Sequence, residues 1–469
     1  MLCKIFKEDS QFINIFNKII DSKLFMLFIV VLGLFSNLFS IELIVYTIYA
    51  LIVCLVSMFG KNFIVNLPMA VVGYMTFSKE NNPRGPNNTS IFFEKEVQIY
   101  FIIICVFIGS FTLSRMIHDL VSYKERRKTP RLGLGFLILG ISFIIGGVFS
   151  NGYEFKSSLF GLLEIIALSF SYFIFYYTSD FKKIDKEYWA ELFTIVSMMM
   201  FIEVGYVLIE GGVFNLNTSL NRSDLWTGWG HHNNMGGIVL MCMPAPFYLA
   251  TVKKHGWIYC LLGNFATLSC FLCMSRNAML VGTIIYITMF ILVLKKSKEE
   301  NRVNNLLVYL SCFNIIAISI TFFYDVVYNL LYETISRGFS FSGRIEIYSH
   351  AIEEFISFPI FGKDFYNSNI GQWGEYSPNS FLPGRYHNTI FQLLASTGIV
   401  GLLAYIYHRY ETIKLLFKNF NYSKLFIWLC IFAFLVSSLF DCFFFNFGPG
   451  LLYSALLLLL EKQDELESA

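Results

Sequence analysis

Long apolar stretches recur along the whole sequence, and they constrain its fold more than any other feature. Each is about 17–20 residues long, the length that a helix needs to cross a hydrocarbon core of ~30 Å. Hydrophobic residues make up 56% of the 469 residues and charged residues only 14%, a balance that excludes a soluble globular domain. The sequence therefore predicts an all-α polytopic integral membrane protein with about 12–14 transmembrane helices. The candidate spans lie near residues 24–40, 43–59, 62–78, 97–114, 132–149, 159–177, 192–210, 236–252, 257–274, 277–294, 304–323, 388–407, 425–441 and 446–460.

The distribution of Lys and Arg predicts how these spans are oriented. If the N-terminus is cytoplasmic and the spans alternate, 25 of the 35 basic residues fall in cytoplasmic segments, as the positive-inside rule requires. Both termini are then cytoplasmic, and the two longest outer segments are 211–235 and 324–387. We expect three regions: transmembrane helices in 1–210, a core with the two outer loops in 211–410, and further transmembrane helices with a short cytoplasmic tail in 411–469.

Part of the longer outer segment is predicted to be helical. In 343–358, apolar residues recur at helical spacing at Ile345, Tyr348 and Ile352, while acidic residues fall on another face. Pro359 then ends the pattern, because proline is a poor continuer of a helix. We expect an amphipathic helix that lies on the outer surface of the membrane.

Arginine is concentrated in the outer segments of the second half of the chain. The guanidinium group matches phosphate oxygens and stays charged at a poorly hydrated site, so this cluster indicates a bound phosphate or carboxylate. The structural alternative is anchoring to lipid headgroups. Arg276 lies in a short turn between two spans, where a charge usually faces a cavity or a partner; a snorkelling turn residue is the alternative. The candidate site arginines are Arg222, Arg276, Arg344 and Arg385.

Two His-Asn pairs each precede a span from the outer side. They are His232–Asn233 and His387–Asn388. Histidine has an unperturbed pKa of ~6.5, which suits proton abstraction near neutral pH. A polar cap on a helix start is the structural alternative, for which Asn is well suited. For His387, beside Arg385 at the end of the long outer segment, we favour a functional role.

Several other chemistries are not indicated. The acidic residues of the outer segments are scattered and include no Asp-x-Asp, whereas a metal that holds a diphosphate needs carboxylate ligands. We therefore expect a metal-independent reaction without a cofactor. The sequence has no Walker motif, so ATP-driven export is not indicated, and we expect no nucleic-acid partner.

Four motifs follow one another in the second half of the chain. They are S-R before a span (275–276), S-G-R at the start of the outer helix (342–344), P-I-x-G after it (359–362), and H-N leading into G-I-x-G-L (387–402). In this order and placement, residues 225–410 resemble the O-antigen ligase and O-antigen polymerase superfamily. The HHNNMGG segment is similar to the family's H-x-N-x-x-[GA] motif. This sequence departs from the family pattern at two places. It has His-His-Asn-Asn where the family usually has H-P-N, and its helix after S-G-R has Ile345 to Tyr348 where the family usually has a tryptophan.

The resemblance implies a GT-C-like, inverting, metal-independent glycosyltransferase of the bacterial inner membrane. Such enzymes take a glycan from a polyprenyl diphosphate on the outer face of the membrane. They transfer it to another lipid-linked repeat (polymerases) or to lipid A core (ligases). The implied partners are the lipid-linked donor, a glycan or lipid acceptor, membrane lipids and other proteins of polysaccharide assembly.

The same resemblance suggests roles for individual residues. His387 matches the essential loop histidine and is expected to deprotonate the acceptor hydroxyl. Arg276 matches the arginine at the membrane boundary and is expected to bind the departing diphosphate. The remaining candidates for binding diphosphate or substrate are Arg222, Arg344, Arg385, His232, Asn233 and Asn388.

The particular activity stays open at this point. Two sizeable outer loops and many spans favour a polymerase of a surface polysaccharide, such as O-antigen or capsule, and an O-antigen ligase is the alternative. A flippase or transporter of lipid-linked oligosaccharide is an alternative of another class. A transporter is expected to carry charges within its spans, where this sequence has few, such as Glu164 and Glu203. A structural assembly partner is a further alternative.

Overall fold

The computed structural model describes residues 11–73, 75–76, 91, 94–123, 128–149, 155–180, 186–210, 225–228, 230–322, 324–325, 328, 332, 344–363 and 386–468. Over these residues the chain is almost entirely helical, and the fold is that of an all-α polytopic membrane protein. The extended structure in this part of the chain is one antiparallel pair of two-residue strands, in which Trp226 lies opposite His231.

The first half of the described chain consists of helices α1 to α8. Ser22 caps α2, because its Oγ accepts a hydrogen bond from the Phe25 amide at 3.2 Å, and the chain bends by 61° between α1 and α2. A 3-10 turn at Phe63–Asn66 precedes α4. The helices are α1 (Gln11–Ile20), α2 (Lys23–Phe39), α3 (Glu42–Phe59), α4 (Leu67–Gly73), α5 (Lys95–Ser122), α6 (Gly133–Phe149), α7 (Phe155–Thr178) and α8 (Lys186–Glu210).

The second half begins with the small hairpin and continues with helices α9 to α17. The strands are β1 (Trp226–Thr227) and β2 (Gly230–His231), and a 3-10 turn at Phe443–Phe445 precedes the last helix. The helices are α9 (His232–Cys242), α10 (Pro244–Val252), α11 (Gly256–Leu272), α12 (Arg276–Lys296), α13 (Glu299–Phe322), α14 (Arg344–Ser357), α15 (Thr389–Phe417), α16 (Tyr422–Phe440) and α17 (Phe447–Ser468).

Every apolar segment singled out in the sequence contains helix. Within the described residues, eight helices are long and apolar enough to cross a membrane, or nine if the bent pair α1–α2 forms one span. Shorter apolar helices lie at Phe63–Gly73, Gly133–Gly146 and Gly256–Leu272. Within the described residues, the predicted spans are thus divided between these full-length helices and shorter apolar ones.

The span formed by α9 and α10 lies in the core of the bundle and is almost wholly buried. Two adjacent glycines at its start allow neighbouring segments to come close. A Cβ atom on Gly236 would lie 2.8 Å from the Ala278 Cβ, and one on Gly237 would lie 2.2 Å from the Phe443 ring. The glycine pair of HHNNMGG thus packs α9 against both α12 and the turn before α17.

Helix α15 is broken at Gly398, where the backbone adopts φ +60° and ψ −154°. The loop that follows α14 fills this break. The amides of Ile399 and Lys363 donate to the carbonyls of Pro359 and Ala395, each at 2.8 Å. A helix can be broken at membrane depth only where other protein groups satisfy the freed backbone. The P-I-x-G and G-I-x-G motifs are therefore joined to each other by backbone hydrogen bonds.

At the opposite end of the bundle, α15 runs further than predicted. The prediction assigned 408–424 to a cytoplasmic connection, but α15 continues to Phe417 and Arg409 is buried within it. The Arg409 guanidinium lies 4.5 Å from the ring centre of Tyr405 and 4.7 Å from that of Tyr453. Aromatic faces can stabilise a buried cation in this way.

Candidate active site

The predicted site residues that the structure describes lie at one end of the helix bundle. α9, α12 and α15 begin there and α16 ends there, and we call it the site end. Neutral amide side chains link these helix ends. The contacts are Ser275 Oγ to Asn233 Oδ1, Asn446 Nδ2 to Asn234 Oδ1 and Asn277 Nδ2 to Ser437 Oγ, each at 3.1 Å, and Asn388 Nδ2 to the Leu439 carbonyl at 2.8 Å. Motifs that are far apart in the sequence therefore meet.

His387 adopts a left-handed backbone conformation, with φ +51°. For a residue with a Cβ this conformation costs about 1–2 kcal/mol, so the neighbouring residues must hold it. On one side, the Tyr386 amide donates to Gln392 Oε1 at 3.0 Å. On the other, Asn388 caps α15, since its Oδ1 accepts from the amides of Ile390 at 2.8 Å and Phe391 at 3.3 Å.

The His387 ring lies beside the carboxylate of Asp441. Nδ1 of His387 is shielded from solvent and is 3.5 Å from Oδ1 of Asp441. This separation suits an ion pair but is long for a well-formed hydrogen bond; such contacts often tighten when substrate binds. The same Oδ1 accepts from the Cys442 amide at 2.7 Å, which fixes the carboxylate. The His387 side chain is 43% exposed and that of Asp441 is 14% exposed, so the ring is accessible while its partner is largely buried.

Helix α14 brings Arg344 and Tyr348 to His387. The Tyr348 ring stacks on Phe391, with ring centres 4.4 Å apart and an interplanar angle of 15°. Its hydroxyl donates a long hydrogen bond of 3.5 Å to the His387 carbonyl. Burial raises the pKa of the Tyr348 hydroxyl above its ordinary value, although the adjacent Arg344 guanidinium counteracts this shift. The S-G-R motif therefore places a half-buried cation beside Tyr348, whose hydroxyl reaches the backbone of the histidine.

The first His-Asn pair and the S-R motif form a second group. His232 is buried at the start of α9, with 2% of its surface exposed. Asn233 accepts from Ser275, and the next residue, Arg276, is the half-buried first residue of α12. The contact between Asn277 and Ser437 joins this group to α16, one helical turn before Asp441. A guanidinium at a helix N-terminus favours an anion there, since the helix dipole and the side chain have the same sign.

Two of the predicted site residues, Arg222 and Arg385, lie outside the residues that the structure describes. Of the others, His387, Asn388 and Arg344 lie together, and Arg276, His232 and Asn233 form the neighbouring group. Both polar atoms of the Asn388 amide hold helix ends, as the structural alternative for this residue predicted. In the described part of the chain, no group of three or more His, Cys, Asp or Glu residues could hold a metal ion.

Sequence reasoning missed Asp441. It is the last residue of the predicted span 425–441, and its partner His387 is far away in the sequence. The apolar pattern therefore did not distinguish it from the rest of the span. An acidic residue at the end of a predicted span was the available signal. Sequence reasoning also missed Tyr386 and Glu354, whose hydroxyl and carboxylate are joined by a short hydrogen bond. Tyr386 was overlooked beside His387, the residue that follows it. Glu354 was taken only as one of the acidic residues on the polar face of the amphipathic helix.

These observations define a polytopic membrane protein that presents a histidine–carboxylate pair and arginines at one end of its bundle. Comparison with protein families then identifies the class of domain: residues 261–406, less than half of the chain, match the family model described as O-antigen ligase. The match contains Arg276, α14, His387 and the break at Gly398, and it confirms the resemblance to the O-antigen ligase and polymerase superfamily. No curated protein matches the chain.

Proposed function

We propose that the protein is a membrane glycosyltransferase that moves a glycan from a polyprenyl diphosphate to an acceptor hydroxyl at the outer face of the bacterial inner membrane. We favour a polymerase of a surface polysaccharide over a ligase. The observation that carries the proposal is the His387–Asp441 pair. Tyr348 links this pair to Arg344, and the contact between Asn277 and Ser437 joins its helix ends to that of Arg276. Glycan transfer needs these two elements, a base and an anion-binding group.

His387 acts as the general base. With Nδ1 turned to Asp441, the proton of the neutral ring is held on Nδ1, which leaves the lone pair of Nε2 for the acceptor. Asp441 fixes this tautomer and stabilises the imidazolium that forms. As the proton moves to Nε2, the acceptor oxygen attacks the anomeric carbon from the face opposite the diphosphate, and the configuration inverts.

The arginines bind the leaving group. When the bond between the anomeric carbon and the phosphate oxygen breaks, its electron pair stays on the diphosphate. Arg276 at the start of α12 and Arg344 at the start of α14 stabilise this growing negative charge, and Arg222 is expected to join them. Donors held in place before the reaction are effective because they need not reorganise as charge develops.

The test is glycan transfer by purified protein in lipid vesicles, with a lipid-linked donor and neither nucleotide nor ion gradient. We expect His387→Ala to lower the rate by about 10²–10⁴-fold and Arg276→Ala by about 10²–10³-fold. A matched control is His118→Ala. His118 is 42% exposed and pairs with Asp119 at 3.1 Å near the end of α5, so its loss should leave the rate unchanged. Full activity of the His387→Ala/Arg276→Ala double variant would contradict the proposal.

Product length separates the two activities of the family. Loss of a polymerase leaves single repeats on the lipid carrier, whereas loss of a ligase leaves long chains that remain unligated. Movement of the lipid-linked glycan across the vesicle membrane without any transfer product would instead indicate a transporter.

A further inference from the structure

We infer that Glu354 of α14 is a positioning residue for His387 and acts on it through Tyr386. This inference rests on the proposed function, because it assigns a role in aligning the proposed base. Glu354 does not contact the reacting groups. Its importance follows from what its two carboxylate oxygens hold.

Glu354 is largely buried, with 6% of its surface exposed. Its Oε2 accepts a short hydrogen bond from the Tyr386 hydroxyl. Its Oε1 accepts from Lys363 Nζ at 2.6 Å and lies 3.4 Å from Nε2 of His350. A buried carboxylate is tolerated only when it is paired and hydrogen-bonded, so this network fixes the Glu354 side chain.

Tyr386 transmits this constraint to His387. The tyrosine ring is buried, with 1% exposed, and is held at its hydroxyl by Glu354 and at its amide by Gln392. The following residue is His387 in its left-handed conformation, and Asn388 is fixed as the cap of α15. Only one backbone residue lies between the two anchors, so the direction of the His387 side chain depends on both.

The same carboxylate also holds the loop that fills the break in α15. Lys363 follows Gly362, whose backbone lies so close to α15 that a Cβ would be 2.3 Å from the Ser396 carbonyl carbon. The Lys363 amide donates to the Ala395 carbonyl, while its side chain reaches Glu354. Glu354 therefore joins three parts of the chain: α14, the loop after it, and the residue before the base.

The test uses transfer kinetics of the full chain in vesicles. Tyr386→Phe removes only the hydroxyl that reaches Glu354. We expect kcat to fall about tenfold while KM stays within about twofold, because alignment of the base affects the reaction more than binding. Glu354→Gln keeps an oxygen that accepts from Tyr386 and should retain most of kcat, whereas Glu354→Leu should lower it at least as far as Tyr386→Phe. If Glu354 acts through Tyr386, Tyr386→Phe combined with Glu354→Leu lowers kcat no further than Glu354→Leu alone.

The matched control is Tyr49→Phe, which removes another buried tyrosine hydroxyl that donates to the Ile29 carbonyl at 2.7 Å, in the N-terminal helices. It should lower thermal stability about as much as Tyr386→Phe and leave kcat unchanged. A kcat within twofold of wild type for Tyr386→Phe, with His387→Ala inactive, would overturn this inference alone. If His387→Ala is fully active in the same assay, the proposed function fails and this inference fails with it.

Discussion

The two ends of the helix bundle use polar residues in opposite ways. At the end where α15 finishes and α16 begins, the fully buried Asp464 receives Arg131, Lys418 at 2.8 Å and Lys424 at 3.2 Å. At the site end, neutral amides tie the helices together, and the His387 side chain remains 43% exposed beside its carboxylate. The charges around Asp464 neutralise one another, whereas the site end combines the paired Glu354 and Lys363 with a His387 ring that stays accessible to a ligand.

We therefore expect the charged residues around Asp464 to affect mainly stability, and Asp441 at the site end to affect mainly activity. The carboxylate of Asp464 compensates several cations, so its removal leaves buried positive charge without a partner. The carboxylate of Asp441 lies beside the accessible ring of His387, so we expect its removal to change the ring more than the fold. Matched substitutions at the two ends should therefore have opposite consequences.

The largest contrast is expected for the same acid-to-amide change at each end. Asp441→Asn keeps an acceptor oxygen but removes the negative charge that, in the proposed mechanism, stabilises the His387 imidazolium, and we expect kcat to fall by about 10²-fold. Asp464→Asn should leave the kcat of the folded fraction unchanged. Initial rates normalised to folded protein measure both. Equal kcat losses for the two variants would remove the distinction between the ends.

Stability should show the reverse contrast. Asp464→Asn is expected to lower the free energy of unfolding by about 3 kcal/mol. Burial raises the pKa of Asp464, but the hydrogen bonds from Lys418 and Lys424 outweigh this and hold it below its ordinary value. The carboxylate therefore stabilises the fold above its unfolded pKa of about 4, and this contribution is lost as the pH falls through the lower folded value.

Unfolding in detergent, followed from neutral to acid pH, measures this effect. The difference in stability between wild type and Asp464→Asn should be full at pH 7 and should narrow below about pH 4. A difference that is constant over this range would show that the charge of Asp464 is not what stabilises this end.

The smallest effects are expected at two helix caps. Asn388 caps α15 at the site end, and Asn421 caps α16 at the opposite end, where its Oδ1 accepts from the Lys424 amide at 3.0 Å. Alanine at either position should lower stability by about 1 kcal/mol. Only Asn388→Ala should also lower kcat, because its cap adjoins His387. Thermal unfolding and initial rates are measured for both variants. A kcat loss in Asn421→Ala would show that the loss in Asn388→Ala does not come from its position beside His387.

The helices themselves were predictable from the sequence. The predicted spans 24–40 and 43–59 agree with α2 and α3 to within a residue or so, because a long apolar run in a membrane has few conformations open to it. The amphipathic pattern in 343–358 likewise predicted α14. The family motifs predicted roles for His387, Arg276 and Arg344, and in the structure Tyr348 connects Arg344 to the His387 backbone.

What the sequence could not supply was which distant segments meet. The glycines of P-I-x-G and G-I-x-G were visible, but nothing in either motif shows that the backbones of Pro359 and Ile399 bond to each other. In the sequence Asp441 is only the end of a predicted span, and nothing there shows that the end of α16 meets His387 at the start of α15. The burial of Arg409 could not be predicted either, because the rings around its guanidinium come from its own helix and from three other segments, which carry Phe434, Phe444 and Tyr453.

The backbone contact at the break in α15 has a consequence for the length of the segment between Lys363 and Tyr386. The Lys363 amide binds Ala395, and the Tyr386 amide binds Gln392, so the chain leaves and returns to α15 at points three residues apart. For a flexible connection whose two ends are anchored close together, each doubling of length costs only about 0.6 kcal/mol of closure entropy. A change in the length of the segment between Lys363 and Tyr386 is therefore expected to cost little stability, provided that both anchors on α15, and with them the proposed base His387, are kept.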